Sequence, residues 1–502
     1  MKGVLAIDQG TTGTTCLVLD RECRILGRAY SEFAQIFPRP GWVEHDADEI
    51  WDVTLRVARQ SLAEARVSAP RLDLAAIGLT NQRETVVVWE RATGRPVHNA
   101  IVWQDRRTSA RCRQLREQGR EAWIRERTGL VPDPYFSATK LEWLLDNVPG
   151  VRDRAEAGDL AAGTIDTWLL WKLSRGRVHA TDPTNASRTL LFDVNRLDWS
   201  EELAALFAVP TGLLPAVRPS SGPFGESDPE WFGTAAPLCG VAGDQQAALF
   251  GQGCVAAGQA KNTYGTGAFL LMNTGARPVP SSRGLLTTVA CGPRGEPAYA
   301  LEGSIFIAGA AVQWLRDGLG LISAARETEA MARSLDGNDG VYFVPAFVGL
   351  GAPHWDPDAR GTIVGLTRGT RVEHLVRAAL ESMAYGTRDV LEAMSLDSGV
   401  AATGLAVDGG ASNNDWLMQF QADVAGVAVR RPRIVETTAL GAAGLAGLAV
   451  GLWADVDDFL ASRAAPDLFQ PAMAPDRRTT LIGGWRRAVH AALAWAEATR
   501  GG

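Results

Sequence analysis

Arg83 and Glu84 stand side by side in "GLTNQRETVVVWE" (78–90), between two apolar runs that predict buried strands. A buried charge pair is costly to desolvate and is often no more stable than an apolar pair. One interpretation is that the two residues bind a polar ligand. A guanidinium only donates hydrogen bonds and a carboxylate only accepts them, so together they satisfy a hydroxyl group in both senses. The alternative is a structural ion pair at a strand end.

Asp244 is a second candidate for chemistry. It follows Gly243 in "GVAGDQQAA", where the apolar run "LCGVA" predicts a strand and the following residues predict a helix. A carboxylate at such a turn can accept the proton of an attacking hydroxyl, as a general base within hydrogen-bond reach does. An Asp at the start of a helix also suits the N-cap position. The residues alone favour neither role.

Three glycine-rich turns are candidates for a phosphate site. The strand of "VLAIDQGTTGTTCLVLD" ends at Asp8 and leads into the turn at 10–13, "QAKNTYGTGAFLLMN" repeats the pattern past the midpoint, and "LAVDGGASNND" (405–415) adds a third turn. Backbone N–H groups at a tight turn form an anion cradle. One such turn is weak evidence, because most merely connect strands. Three together predict ATP in a cleft between domains, with its phosphates between two hairpins and its nucleoside over the third turn.

Other nucleotide motifs are excluded. A Walker A loop requires Gly-Lys-Ser/Thr, whereas the four lysines of this chain are followed by Gly, Leu, Leu and Asn. The stretch "GQGCVA" (251–256) fits only a relaxed dinucleotide fingerprint, and no acidic ribose ligand stands near position 275. The formal net charge of −7 argues against a broad nucleic-acid surface, which needs a basic excess.

The elements that must position these residues alternate between strand and helix, which predicts an α/β fold. A chain of 502 residues is too long for one core. The two Gly/Thr hairpins suggest two related halves, and the Pro-rich stretch "LPAVRPSSGPFG" (214–225) precedes their boundary. We therefore expect domains at 1–250 and 251–502. The segment 105–127, with eight Arg and four acidic residues, predicts one helix with a solvated face.

The cysteines and apolar segments indicate location. None of the six Cys forms a C-x-x-C pair, so they read as buried thiols of a reducing compartment. The N-terminus does not have the pattern of a signal peptide. The uncharged segment 439–454 is shorter than the roughly 20 residues of a membrane span and is rich in Gly and Ala. It predicts a closely packed core helix, and we expect a cytoplasmic protein without membrane insertion.

The hairpins and the Asp-Gly-Gly turn resemble those of the superfamily of actin, hexokinase and heat-shock chaperone ATPases. The stretches "YFSATKLEWLLDN" (135–147) and "GTIVGLTRGTRVEHLVRAALE" (361–381) are similar to the signature patterns of the FGGY carbohydrate kinases. Within that family, six stretches in order resemble the branch that phosphorylates glycerol: "PGWVEHD", "TNQRET", "NAIVWQDRR", "GLVPDPYFS", "VAGDQQAALFGQ" and "KNTYGTG". The resemblance implies two actin-like (ribonuclease H-like) ATPase domains with the nucleotide and substrate in the cleft between them.

The resemblance also implies phosphoryl transfer from Mg-ATP to a terminal hydroxyl of glycerol, with Asp244 as the base. Asp8 would hold Mg²⁺, through water because this ion keeps several waters, and Asp244 would lie beside it. The implied glycerol contacts are Arg83, Glu84, Trp103, Tyr135, Asp244, Gln245 and Phe269. The implied nucleotide contacts are Thr11, Thr12, Gly13, Thr266, Gly309, Gln313, Gly410 and Asn414. We expect glycerol and ATP as partners, and a homo-dimer or homo-tetramer.

The chain departs from the family pattern in the first hairpin. Thr15 stands where many bacterial members carry an Arg, which predicts one cationic phosphate contact fewer. Two alternatives stay open: a family member acting on a ketose or aldonate, and a nucleotide-switched chaperone or filament protein of the same superfamily.

Overall fold

The computed structural model describes the backbone of residues 1–500 and the side chains of residues 1–498. Helices and strands alternate along this part of the chain, which confirms the expected α/β fold. The strands are β1 (Lys2–Gln9), β2 (Gly13–Asp20), β3 (Ile25–Glu32), β4 (Glu44–His45), β5 (Asp73–Asn81), β6 (Val86–Glu90), β7 (Ala100–Ile101), β8 (Leu160–Thr164), β9 (Ala180–Thr181), β10 (Phe192–Asp193), β11 (Asp198–Trp199), β12 (Ala216–Val217), β13 (Ser221–Glu226), β14 (Pro237–Gly243), β15 (Gln259–Tyr264), β16 (Ala268–Gly275), β17 (Leu286–Cys291), β18 (Pro297–Ile305), β19 (Tyr342–Val344), β20 (Thr362–Val364), β21 (Gly404–Gly409), β22 (Val429–Arg431) and β23 (Asp467–Phe469). The α-helices are α1 (Ala47–Ser68), α2 (Ser109–Glu117), α3 (Glu121–Thr128), α4 (Ala138–Asn147), α5 (Val151–Glu156), α6 (Ile165–Leu173), α7 (Pro183–Ala186), α8 (Glu201–Leu206), α9 (Pro229–Phe232), α10 (Asp244–Gly251), α11 (Gly309–Gln313), α12 (Glu327–Arg333), α13 (Val372–Ser398), α14 (Asp415–Ala425), α15 (Thr437–Ala449), α16 (Val456–Ala461) and α17 (Pro475–Arg500).

The first large sheet has six strands in the order β13-β14-β5-β1-β2-β3. Its central strands β14, β5 and β1 run parallel, with Asp8 beside Thr80 and Gly243 beside Asn81. The carboxyl ends of these three strands therefore meet at one edge, where α/β proteins commonly bind ligands. This edge carries Asp8, the segment that follows β5, and the start of α10.

The second large sheet has the order β17-β18-β16-β15-β21-β22-β23. Its antiparallel hairpin β15–β16 corresponds to the hairpin β1–β2 of the first sheet. Strands β15 and β21 run parallel, and Tyr264 lies beside Gly409. The second and third glycine-rich turns therefore follow neighbouring strand ends.

Helices α10 and α15 cross at the junction of the two sheets. Helix α10 follows the first sheet but packs against β15, β16 and β17, whereas α15 follows strands of the second sheet and packs against β1, β5 and β14. Small residues permit the crossing, because a β-carbon at Gly441 would collide with the carbonyl of Ala247, and one at Gly251 with that of Thr437. Helix α15 is largely buried, which confirms the core helix predicted near 439–454. No described helix is long and apolar enough to cross a membrane.

The prediction of one helix over 105–127 is wrong. The segment forms α2 and α3, and the intervening Gly119 has a φ of 70°, a conformation that ends a helix and that glycine adopts readily. The expectation of a solvated face also fails at Arg107, whose side chain is buried and pairs with Glu44 at 2.6 Å and with Asp105 at 2.9 Å. The six cysteines are free and buried, as expected.

Candidate active site

Asp244 is the first residue of α10, and Gly243 occupies the N-cap position without a side-chain cap. The N-cap alternative for Asp244 is therefore wrong, although its Oδ1 accepts a hydrogen bond from the N–H of Gln245 at 2.7 Å. The Asp244 side chain is 32 % exposed, so a substrate hydroxyl can reach it. The Nε of Arg83 lies 3.2 Å from Asp244 Oδ1 and fixes the direction of the carboxylate.

Asp8 and Asp244 form a pair of carboxylates from two different elements. Burial and the nearby charge of Asp244 together raise the pKa of Asp8 to about 7. Repulsion of this kind is what a divalent cation relieves, so the pair fits Mg²⁺. No cluster of three or more His, Cys, Asp or Glu side chains suited to a metal occurs among the described residues. Water and phosphate oxygens would therefore complete the coordination, as is usual for this ion.

Four buried charged side chains form one network beside Asp244. Arg83 donates to Glu302 at 2.6 Å (Nη1 to Oε2) and 3.2 Å (Nη2 to Oε1). Arg188 donates to Glu84 at 2.7 Å and to Glu302 at 2.9 Å. Arg83 and Glu84 are only 3.8 Å apart (Nε to Oε1), which is the longest link of the network. The two neighbours in sequence therefore lie within ion-pair distance of each other, as the structural alternative holds, but each has a closer partner elsewhere.

The network is electrostatically balanced, with two guanidinium groups and two carboxylates. Burial alone would raise the pKa of Glu302, but the adjacent charges of Arg188 and Arg83 hold it at about 2. For Glu84 burial outweighs the two arginines, and its pKa is raised. Glu84 also has a φ of 63°, an uncommon conformation for a residue with a β-carbon. Strained backbone of this kind clusters at functional sites.

Two of the aromatic residues predicted to contact the substrate, Tyr135 and Trp103, lie together beside this network. Tyr135 OH is 3.4 Å from Arg83 Nη2, and the ring of Tyr135 meets Trp103 edge to face at 5.5 Å. Trp103 Nε1 donates to Thr11 Oγ1 at 2.9 Å, which ties the aromatic wall to the first hairpin. Phe269 belongs to the second sheet, where it is half-buried on β16.

Gln245 follows the base on α10 and contacts a buried lysine. Its Oε1 accepts a hydrogen bond from Lys261 Nζ, which also donates to Thr263 Oγ1 at 2.9 Å. Burial lowers the pKa of Lys261. The lysine lies on β15, so this contact joins the two sheets close to Asp244.

The first two glycine-rich turns are closed by backbone hydrogen bonds. The N–H of Gly10 donates to the carbonyl of Gly13 at 2.9 Å, and Gly265 donates to Gly267 at 2.8 Å. Around the second turn, the carbonyl of Thr266 accepts from residues 308 and 310. The predicted nucleotide residues of the first two turns are Thr11, Thr12, Gly13 and Thr266.

The remaining predicted nucleotide residues lie next to the second turn or after β21. Gly309 begins α11, and a β-carbon there would approach the carbonyl of Gly265 to 2.6 Å, which requires a glycine. Gln313 is exposed at the end of that helix, and Gly410 is exposed after β21. Asn414 accepts from the N–H of Leu417 at 2.9 Å and so caps α14.

Four residues of this site were not predicted from the sequence: Arg188, Gln246, Lys261 and Glu302. Glu302 is the only charged residue of the strand "PAYALEGSI", and an isolated charge in an apolar strand is a signal that could have identified it. Gln246 accepts from Arg83 Nη1 at 3.3 Å and donates to Thr288 Oγ1 at 3.1 Å. Nothing in the sequence around Arg188 marks it as buried.

Comparison with known proteins bears on the family to which the chain belongs. Residues 3–251 match the model of the N-terminal domain of the FGGY family of carbohydrate kinases, and residues 260–450 match the C-terminal domain. A glycerol kinase of Brevibacillus brevis is 57% identical over 494 residues, which cover 98% of this chain and 99% of the relative. A glycerol kinase of Clostridium botulinum is 56% identical over 496 residues, with 99% of both chains covered.

Solved structures show the same fold. The crystal structure of Plasmodium falciparum glycerol kinase with ADP superposes with a TM-score of 0.93 at 37% identity, covering 98% of both chains. The gluconate kinase of Lactobacillus acidophilus, 21% identical with a TM-score of 0.86 over 99% of this chain and 98% of that one, shares the fold. The family models, the sequence identities and these superpositions agree: the chain belongs to the FGGY family of carbohydrate kinases.

Proposed function

We propose that the protein transfers the γ-phosphoryl group of ATP to a terminal hydroxyl of glycerol, giving ADP and glycerol 3-phosphate. The observation that carries this proposal is the position of Asp244. Its partly exposed carboxylate is oriented by Arg83 at 3.2 Å and stands beside a wall of polar and aromatic side chains. The identity of 56–57% to glycerol kinases over nearly the whole chain favours glycerol over a ketose or an aldonate.

The reaction needs positioning and charge neutralisation more than covalent help. Asp244 accepts the proton of the attacking hydroxyl. The bond from that oxygen to the γ-phosphorus forms as the bond to the β–γ bridging oxygen breaks, and ADP leaves. Arg83 and Glu84 bind glycerol hydroxyls, and Trp103 with Phe269 covers the carbon chain.

Asp8, through water, and Asp244 would hold Mg²⁺. The ion would neutralise the phosphate charge. The N–H groups of the first two turns hold the phosphates, and residues 309, 313, 410 and 414 line the nucleotide. In this proposal a domain at 1–250 supplies the glycerol site and the first hairpin, and a domain at 251–502 supplies the nucleotide site.

We also propose a cytoplasmic location, because six buried free thiols suit a reducing compartment. A homo-dimer or homo-tetramer stays a prediction.

The test is ADP formation from Mg-ATP with glycerol, xylulose, gluconate or no acceptor. Turnover with glycerol well above the other three supports the proposal. Faster turnover with xylulose or gluconate would assign a different acceptor. Equal turnover without any acceptor would indicate an ATPase of the chaperone or filament type.

A further inference from the structure

A cavity of about 220 Å³ lies at the junction of the two sheets, beside the crossing of α10 and α15. Gln252 and Gly253, just after α10, form one wall, and Leu440 of α15 forms another. Strands β21 and β22 contribute Ala406 and Arg430, and the segment around α16 contributes residues 460 and 463–466. None of the residues predicted to bind glycerol, ATP or Mg²⁺ lines this cavity, so it is separate from the candidate active site.

The cavity is lined by three arginines, Arg430, Arg433 and Arg463, and by no acidic residue. Ala406 and Arg430 are partners in the register of β21 and β22, which puts both side chains on the same face of the sheet. Among the described residues, the half-buried side chain of Arg430 has no hydrogen-bond or ion-pair partner. Its charge is therefore not neutralised by the protein.

The other two guanidinium groups differ in how far the protein neutralises their charge. Arg463 donates to the carbonyl of Gly251 and lies over the ring of Phe459 at 5.1 Å, but it has no carboxylate partner among the described residues. Arg433 pairs with Asp467 at 2.8 Å, and Asp467 also pairs with Arg431 at 2.8 Å. Because Arg431 also pairs with Asp415 at 2.8 Å, Asp467 can neutralise Arg433. The positive excess of the lining therefore comes from Arg430 and Arg463.

The positive excess affects the pKa of a residue that lines the cavity. Burial lowers the pKa of Arg463, and the nearby charge of Arg430 lowers it further. Two like charges that converge on one cavity destabilise the protein unless an anion lies between them.

Polar groups behind the wall of the cavity suggest what else a ligand would meet. Asp408, which does not line the cavity, accepts from Gln252 Nε2 at 2.8 Å and from Thr437. Gln252 is 6% exposed, and its Oε1 has no hydrogen-bond partner among the described residues. This oxygen can accept from a donor on a ligand, such as a hydroxyl.

We propose that the cavity between Arg430 and Arg463 binds phosphate or a small phosphate monoester. Guanidinium groups match the geometry of phosphate oxygens and form charge-assisted hydrogen bonds with them. The site is a second ligand site, and the inference does not depend on which acceptor the enzyme phosphorylates.

Contacts between residues connect this site to the turn predicted to bind the nucleotide. Gln252 contacts Asp408, which is followed directly by Gly409 and Gly410 of the third glycine-rich turn. An anion that orders Gln252 and the arginines would also stiffen the α10–α15 crossing.

The test measures binding of inorganic phosphate by calorimetry and its effect on the melting temperature. The active site is first saturated with Mg²⁺, glycerol and a non-hydrolysable ATP analogue, so that phosphate cannot bind there. We expect wild type to bind phosphate, and we expect Arg430→Gln to bind it at least about tenfold more weakly, as the loss of a charge-assisted hydrogen bond predicts. Arg430→Lys, which keeps the charge, should bind with intermediate affinity. The control Arg277→Gln removes an exposed arginine outside the cavity and should change nothing.

The melting temperature is a second measurement, and the variant and wild type should rank differently without phosphate and with it. In phosphate-free buffer, Arg430→Gln should melt at the same temperature as wild type or higher, because one of two repelling charges is gone. In saturating phosphate, wild type should melt higher than the variant. Glycerol 3-phosphate serves as the ester probe: tighter binding than phosphate indicates that Gln252 accepts from its hydroxyls, and equal binding indicates recognition of the anion alone. Absence of phosphate binding in wild type, or equal binding in wild type and Arg430→Gln, would overturn the proposal.

Discussion

Arg83 and Glu302 form a bidentate ion pair, at 2.6 and 3.2 Å, between the segment that follows β5 in the first sheet and β18 in the second. The same guanidinium directs its Nε toward Asp244. The orientation of the proposed base therefore depends on a residue of the opposite sheet. The ion pair that joins the two sheets thus also holds the guanidinium that orients the base.

The first prediction concerns the base. Asp244→Asn keeps the shape of the side chain and removes its basicity. We expect kcat to fall by a factor of about 10²–10⁴, the usual contribution of a general base, with little change in ATP binding. Steady-state kinetics and nucleotide titration of the variant measure both quantities. Turnover close to that of wild type would show that Asp244 is not the base.

Glu302→Gln should loosen Arg83 and Arg188 together, because both lose their shared carboxylate. We expect the free energy of unfolding to fall by about 3–5 kcal/mol, as for other broken buried pairs. We also expect kcat/KM for glycerol to fall, because Arg83 no longer holds Asp244. The control is Glu226→Gln, which changes an exposed glutamate at the end of β13. Loss of stability with unchanged kinetics would limit the network to a structural role.

Glu84→Ala tests whether the network recognises the acceptor. Removing the carboxylate should lower kcat/KM for glycerol, by an amount that corresponds to a loss of roughly 2–5 kcal/mol of transition-state stabilisation. Wild type should reject a propanediol that lacks one hydroxyl by up to ~10⁴-fold, and this discrimination should shrink in the variant. Because Arg188 also loses its partner, the melting temperature should fall as well. Measuring kcat/KM with both acceptors shows whether Glu84 recognises the acceptor. Intact discrimination with a lowered melting temperature would mean that Glu84 stabilises the fold alone.

Thr15 lies on β2 beside Asp8 of β1 and is half-buried. Thr15→Arg would add a cation next to the first hairpin, and ATP binding should tighten by about 1.5–3 kcal/mol if a charge-assisted hydrogen bond forms. Thr15→Lys tests whether charge alone suffices. An unchanged KM for ATP in both variants would indicate that an added cation pairs with Asp8 and not with phosphate.

Stability in mild acid should depend on His45. This fully buried ring bonds to Gln35 at 2.8 Å, and burial lowers its pKa to about 4. The unfolded chain binds this proton near pH 6.5, so the stabilisation is fully present above that pH and is lost as the pH falls toward 4. The loss reaches about 3 kcal/mol at most, from the size of the shift.

Denaturant titrations between pH 7 and pH 4 measure this loss. His45→Gln should show a shallower fall than wild type, whereas His490→Gln, which changes an exposed ring, should follow wild type. Identical slopes in all three proteins would contradict the assignment.

The ends of these strands could be predicted because buried strands leave a local signal in the sequence, an apolar run with a turn residue beside it. Asp8 and Asp244 each follow an apolar run, and a turn residue follows or precedes each one. The pairing of Arg83 with Glu302 could not be predicted, because 219 residues separate them and only the tertiary fold brings them together. The same limit applies to Arg83 and Glu84: the sequence shows that they are adjacent, but it does not show that each has a closer partner elsewhere in the fold.

The crossing of α10 and α15 has a consequence for how the chain is made. Helix α15 covers the first sheet, α10 contacts both sheets, and a β-carbon at Gly78 or Gly240 would collide with the Ala442 carbonyl of α15. A ribosome that has released only the first half has therefore produced a sheet without one of its covering layers. Such a fragment exposes apolar strands until α15 is synthesised nearly two hundred residues later. The two halves, expressed separately, should each be insoluble and should recover solubility when mixed. The intact chain should melt in one cooperative transition.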